Sequence, residues 1–348
     1  MRILIATDAW RPQVNGVVAT LERMTQAAAE FGAEFEFLTP QGMWTAPMPT
    51  YPDIRVAITT PGEITRRIEE AAPDHIHIAT EGPIGWLTRR YCLKNKRLFT
   101  TSYHTRFPEY IAARTGLPEG LTYAGLRCFH APSAAVMAPT PTIGADLTRR
   151  GFERVRVWSR GVNHALFRPR SQRAFDLPRP IFLCVGRVAM EKNLEALLGL
   201  DLPGSTVIVG DGPARAALER GFPHAHFLGA LYGEALAETY ASADVFVFPS
   251  RTDTFGIVLI EAMASGLPVA AFPVPGPIDV VGPEAGVLDE DLRAACLKAL
   301  TIPREAARAY SLRYTWRESA RQFLGHIEAS RQKFVRVRPR KLELVGDA

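Results

Sequence analysis

Short apolar runs, each followed by a polar turn and then by a stretch of helical period, recur along this chain almost from end to end. Residues 2–7, 34–38, 54–57, 74–78 and 98–102 read as strands, with 134–137 and 155–158 after them. Between these runs, 16–31 places Val17, Leu21, Met24 and Ala28 on one helical face, and 62–72, 83–93 and 143–150 also read as helices. A second series starts at residue 181. Strands over 181–185, 207–209, 226–228, 245–248 and 268–271 alternate with helices over 194–200, 234–241, 291–300 and 303–308. Such alternation predicts parallel sheets with helical crossovers. The polar, Pro-rich patch at 168–180 separates the two series and is the best linker. The expected fold class is α/β with two domains, 1–167 and 168–314, then a long helix over 315–334 packing back on the first, and a basic tail at 335–348.

Composition changes this picture little. A chain of 348 residues exceeds the usual size of one hydrophobic core, and 47% apolar with 22% charged residues is ordinary for a globular protein. Cys92, Cys128, Cys184 and Cys296 lie far apart, with no CxxC pair and no His at zinc spacing, so neither a disulfide framework nor a structural metal is expected. The apolar start breaks at Thr7-Asp8, too soon for a signal-peptide core, and no run is long enough to span a membrane. A formal charge of +5 permits anionic partners without identifying one.

The chemistry concentrates at strand ends. The run 245–248 leads through a polar turn to Gly256, where a helical pattern opens, and free N–H groups at a helix start favour phosphate. Asp253 and Glu261 flank that junction, one in the loop and one inside the helix. In the first series, the loop after 2–7 ends in Asn15-Gly16 ahead of a helix, but carries neither GxGxxG nor GxxxxGK[ST]. Gly16 either lets backbone approach a ligand or makes a tight turn. His104 follows the strand 98–102, at the end where α/β sheets bind ligands, and is either a reacting-site residue or a hydrogen-bonded structural one. The segment 85–97 mixes Trp86, Leu87 and Tyr91 with Arg89, Arg90, Lys94 and Lys96. Much of its apolar half is core packing, and the whole also suits a membrane-docking helix. Six basic residues and no acidic one between 331 and 341 make either a solvated end or a lipid contact.

Taken together, Asn15-Gly16-Val17, Tyr103-His-Thr-Arg-Phe107, Val185-Gly-Arg187 with Glu191-Lys-Asn193, Gly210-Asp-Gly-Pro213 and the stretch from Asp253 to Gly266 resemble glycosyltransferase family 4, a retaining family of GT-B fold. The resemblance implies two Rossmann-like domains facing across a cleft. It implies donor contacts from Asn15, Gly16, Gly186, Asp211, Gly212, Leu231, Thr254, Phe255, Gly256, Ile257 and Val258, with Glu261 on the ribose. Arg187 and Lys192 would balance the departing diphosphate, Asp253 would lie near the sugar hydroxyls, and His104 would contact the transferred sugar. The family's paired acids are typically Glu-x7-Glu, so Asp253 is a departure, one methylene shorter.

The opening loop is similar to that of members that glycosylate lipids, which implies an acceptor side with Asp8, Tyr110, Trp86, Arg89, Arg90 and Lys94. The expected function is hexosyl transfer from a UDP- or GDP-linked sugar to a lipid such as diacylglycerol. No cofactor, no metal and no nucleic-acid partner are expected, and the expected location is the cytoplasmic face of an anionic membrane. The alternatives are the same chemistry on a soluble or polysaccharide acceptor, or a non-catalytic protein that binds a nucleotide sugar or nucleic acid.

Overall fold

A computed structural model describes residues 1–11, 16–48, 51–171 and 174–337. Asn15 and the basic tail from residue 338 lie outside the described residues. Fourteen strands follow in chain order: β1 Arg2–Ala6, β2 Glu34–Leu38, β3 Trp44–Met48, β4 Tyr51–Ile58, β5 His75–Ile78, β6 Phe99–Ser102, β7 Val136–Ala138, β8 Val155–Val157, β9 Ile181–Val185, β10 Ser205–Val209, β11 His226–Gly229, β12 Val245–Phe248, β13 Val269–Ala271 and β14 Gly286–Leu288. Two six-stranded sheets result, in the orders β2-β1-β5-β6-β7-β8 and β11-β10-β9-β12-β13-β14, and every pairing within them is parallel. The central strands are buried on both faces, as expected for sheets covered by helices.

In the first sheet the direction of winding reverses between β1 and β5, and in the second between β9 and β12. Strand ends diverge there and leave a crevice, so each sheet offers one natural ligand position. Both positions open on the same interdomain cleft.

The structure adds to or shifts the expected elements in three places. The run at 54–57 is a strand, as expected, but it lies outside the parallel sheet: β3 and β4 form a separate antiparallel pair. Trp44 and Ile58 on it are 86% and 63% exposed, while Ala57 is buried in the first core. The strand β14 was absent from the sequence reading because Gly286–Leu288 is too short to show a period. The patch at 168–180 is not where the chain changes domain. Val162 and Phe167 already lie in the second core, and Ala174 donates its N–H to Ser242 at 2.7 Å. The crossing lies at Gly161, where an added methyl would meet the backbone of Thr315 and Trp316. Outgoing and returning chains thus run side by side.

The returning chain enters the helix Trp316–Val337. Its Ala320, Phe323 and Ile327 pack with Ile3, Ile5, Leu21 and Trp158 of the first domain. Burying side chains such as Phe323 and Ile327 contributes roughly 1.5–3 kcal/mol each, enough to hold the helix on that domain.

Candidate active site

The cleft has a volume of about 1430 Å³. That exceeds the roughly 300–1,000 Å³ of ordinary small-molecule pockets and leaves room for two substrates. One wall comes from the carboxyl ends of β9, β10 and β12, the other from those of β1, β5 and β6.

On the second-domain wall, the loop after β12 delivers Asp253 and Thr254 and then turns through Gly256 into the helix Ile257–Ala264. Gly256 sits at φ 80°, where a methyl would come within 2.9 Å of Leu259. Only glycine takes that conformation cheaply, and it leaves the first amides of the helix facing the cleft. Opposite stands the first turn of the helix Gly16–Ala28, with the Ile257 side chain 3.8 Å from where a Gly16 methyl would lie. Two helix starts therefore converge, and their partial positive charges add at one anion position.

Lys192 comes from the loop after β9 and donates to Asp253 at 2.6 Å. Burial opposes the Lys192 charge, but Asp253 and Tyr110 outweigh it and hold the amine above its ordinary value. The loop itself is tied down: Asn193, in the left-handed region at φ 53°, donates Nδ2 to the Pro249 carbonyl, and Thr252 donates to that of Glu191. Arg187 lines the cleft beside it.

Glu261 lies one turn into the helix and accepts from the Tyr240 hydroxyl at 3.1 Å. Burial pushes its carboxyl up to about 7, while Tyr240 and then Arg23 pull the other way. A diol hydrogen-bonded to the ionised form would bring it down again.

Gly210 and Gly212 serve the fold more than a ligand. A methyl on either would strike the backbone carbonyl of Gly186 or Val188, so these glycines let the loops after β9 and β10 lie against each other. Asp211 accepts from the Gly212 amide and from Arg215, and Leu231 lines the same end of the cleft. Phe255 packs in the core against Tyr314, which leaves only its backbone for a ligand.

On the first-domain wall, His104 is fixed at three points. Its ring nitrogens meet Ser102 Oγ at 2.8 Å and Arg160 Nη2 at 3.2 Å, and its carbonyl accepts from Thr254 Oγ1 at 2.7 Å across the domains. Burial, then Arg160 and His77, push the ring well below the ordinary histidine range. Tyr110 also crosses: its hydroxyl donates to the Thr252 carbonyl, and burial followed by Asp253 pushes it up to about 12. Tyr110 is thus a cleft residue.

Asp8 does line the cleft, but its carboxylate accepts from Thr80 Oγ1 and from the amides of Ile84 and Gly85, where the helix Pro83–Lys94 begins. Burial raises its pKa against those bonds. The basic-aromatic set is divided. Arg89 donates to the carbonyls of Cys128 and Phe129 and lies over Trp86, which places it in the fold. Arg90 and Lys94 are exposed on the outer face, with Trp86 41% exposed beside them.

Sequence reasoning missed Arg160, Arg23 and Tyr240. Arg160 follows β8, a strand end like the one that singled out His104, and the same rule could have found it. Arg23 lies seven residues after Gly16, two turns along the same helix face, which is a usable signal. Tyr240 gives none, since a buried tyrosine in a helix is ordinary core. Among the described residues, no three His, Cys, Asp or Glu side chains are grouped to hold a metal, and no helix is long and apolar enough to cross a membrane.

Comparison with known proteins identifies the family and the fold. The family described as Glycosyltransferase Family 4 matches residues 14–166, and Glycosyl transferases group 1 matches 179–301. A GDP-mannose-dependent alpha-mannosyltransferase of Mycobacterium tuberculosis is 31% identical over 95% of this chain and 97% of its own. The sulfoquinovosyl transferase SQD2 of Arabidopsis thaliana is 33% identical over 69% of this chain and half of its own. Among solved structures, a sucrose-phosphate synthase from Thermosynechococcus elongatus superposes with TM-score 0.75 at 21% identity, covering 96% of this chain and 99% of that one. HepE of Anabaena, in complex with UDP-glucose, gives 0.71 at 14%, covering 94% and 100%. Both share the fold.

Proposed function

This chain belongs to glycosyltransferase family 4, and from that premise we propose that it moves a hexosyl group, with retention, from a UDP- or GDP-linked sugar to a lipid acceptor such as diacylglycerol. The observation that carries the reading is the convergence of two helix starts on one position beside Arg187 and Lys192. A diphosphate placed there gains negative charge as the sugar–oxygen bond breaks. Fixed amides and cations stabilise that charge without waiting for water to reorganise. The same cations do the work of a divalent ion, so we infer a metal-independent reaction.

Retention follows if the acceptor hydroxyl attacks the face from which the diphosphate leaves and passes its proton to the departing phosphate oxygen. Asp253 is ion-paired and Glu261 is hydrogen-bonded to Tyr240, an arrangement that suits binding better than covalent attack. Glu261 then holds the ribose hydroxyls, and Asp253 reaches the sugar once the phosphates take Lys192 from it.

The acceptor reading draws on relatives named for GDP-mannose-dependent and sulfoquinovosyl transfer, and on Arg90, Lys94 and Trp86, which suit an anionic surface at the cytoplasmic face of a membrane. Screening UDP- and GDP-sugars against diacylglycerol vesicles, with the anomeric configuration of the product read by NMR, tests donor, acceptor and retention together. Undiminished transfer to a soluble acceptor without vesicles would sink the lipid version. An inverted product would sink retention, and lost activity in EDTA would sink metal independence.

A further inference from the structure

Behind His104 runs a buried polar chain that the reaction above does not use. His77 on β5 reaches Ser102 Oγ with Nε2 at 3.1 Å and Thr100 Oγ1 with Nδ1 at 2.9 Å, and Thr100 in turn meets His75 Nε2 at 3.0 Å. His75, His77, Thr100 and Ser102 are all essentially inaccessible to solvent. At the other end stands Arg160, itself only 4% exposed. Its Nη1 donates to the carbonyls of Trp158 and Ser159, and its guanidinium lies 4.3 Å from the centre of the Trp158 ring.

The direction of the bonds is forced by chemistry. A guanidinium has donors and no acceptor, so the 3.2 Å contact requires His104 Nδ1 to accept. The proton of the neutral ring is then on Nε2, and it points at Ser102 Oγ. Ser102 has one proton of its own, which goes to the Ala79 carbonyl or to His77 Nε2, and in either case its oxygen remains free to receive the His104 bond.

We propose that Arg160 is a positioning residue for His104: it locks the ring as the neutral Nε2–H tautomer and supplies a fixed positive charge beside it. The claim deepens the transfer reaction proposed above and rests on it for its purpose. A histidine free to protonate beside a diphosphate would gain charge in the ground state as pH fell, and binding would change with it. With Arg160 capping Nδ1, the charge beside the ring stays constant and the ring neither takes nor gives a proton. Among the described residues no carboxylate pairs with Arg160; desolvation alone acts on it and pushes it down to about 9, which leaves it cationic at neutral pH. The groups that face the His104 ring are Ser102 from β6, the strand that leads to it, His77 from the neighbouring β5, and Arg160 and Trp158 from the segment at the end of β8; Thr254 of the other domain meets the His104 carbonyl.

The test is the ring itself. The full chain, labelled with 15N-histidine and with His104 assigned by loss of its signals in His104→Gln, should show the proton on Nε2 and no titration between about pH 5.5 and 8. In Arg160→Met the ring, still buried, should no longer be held as the Nε2–H tautomer and should show protonation on Nδ1 as well, and transfer should lose about tenfold in kcat with donor KM changed less than about twofold. Arg160→Lys, which keeps a charged donor, should restore the wild-type spectrum. Ser102→Ala should keep the Nε2 proton, because Arg160 still caps the other nitrogen. A wild-type ring protonated on Nδ1, or one that titrates near 6.5, overturns the proposal, and so does an Arg160→Met spectrum identical to wild type. Should Arg160→Met not fold, the wild-type spectrum still decides. The spectrum also separates this claim from the reaction: normal transfer with the wrong tautomer removes the clamp alone, and the right tautomer without transfer removes the reaction alone.

Discussion

The two walls of the cleft place positive charge in opposite ways. On the second-domain wall Lys192 is matched by Asp253, a pair whose partner can be exchanged for a phosphate. On the first-domain wall Arg160 meets a neutral imidazole and backbone carbonyls, and nothing in its setting can be traded. The difference teaches where binding is meant to change the protein. A compensated cation stays stable while the site is empty and turns to the ligand when it arrives, whereas a buried cation without a carboxylate costs desolvation at all times and gives a constant field in return.

The largest break in this contrast comes from Lys192→Ala, which removes the exchangeable cation and leaves Asp253 in its place. Transfer measured by donor turnover should fall about 10²–10³-fold in kcat/KM. Full turnover in both this variant and Glu261→Ala would mean that the site is somewhere else.

Next in size is Glu261→Gln, which should cost about tenfold or more in donor KM through the ribose contact. Its stability should move the other way. The folded carboxyl is raised to about 7 from an ordinary 4.5, so its favourable contribution is complete below 4.5 and is lost as pH rises through 7. Glutamine has no such loss. Thermal melts should give no difference at the acid end and a variant about 4–5 °C more stable at pH 8.

Gly256→Ala sharpens the geometric half of the contrast. Forcing a methyl at φ 80° against Leu259 should destabilise the protein by about 1–3 kcal/mol, read by urea denaturation, and lower kcat by displacing the helix start. The smallest effect belongs to the outer face. Arg90→Gln with Lys94→Gln should weaken binding to anionic vesicles by roughly 1 kcal/mol per charge in co-sedimentation, leaving turnover on dispersed acceptor unchanged. Adding Arg89→Gln should instead lower thermal stability, since that side chain holds the carbonyls of Cys128 and Phe129.

Much of the fold and of the donor wall was legible in the sequence. Apolar runs and helical periods are properties of neighbouring residues, so the strands of both sheets apart from β14, the glycine at the helix start and the pair Asp253 and Glu261 could be read without coordinates. The acceptor wall was read less well. Trp86, Arg89, Arg90 and Lys94 form one patch along the chain, yet Arg89 is drawn into the fold by carbonyls 39 and 40 residues away. Tyr110 and Asp8, expected on the acceptor side, line the cleft with partners already in place.

The sequence by itself determined the alternation of elements, the loops that must carry the chemistry and the residue types available there. Only the tertiary structure decided which charges pair and which stand alone. Lys192 meets Asp253 across 61 residues, Thr254 meets His104 across 150, and Arg160 meets His104 across 56. Local pattern carries no record of such partners, because they are set by how two sheets and a returning helix pack. The protonation of a buried ring follows from those partners and from the loss of water around it.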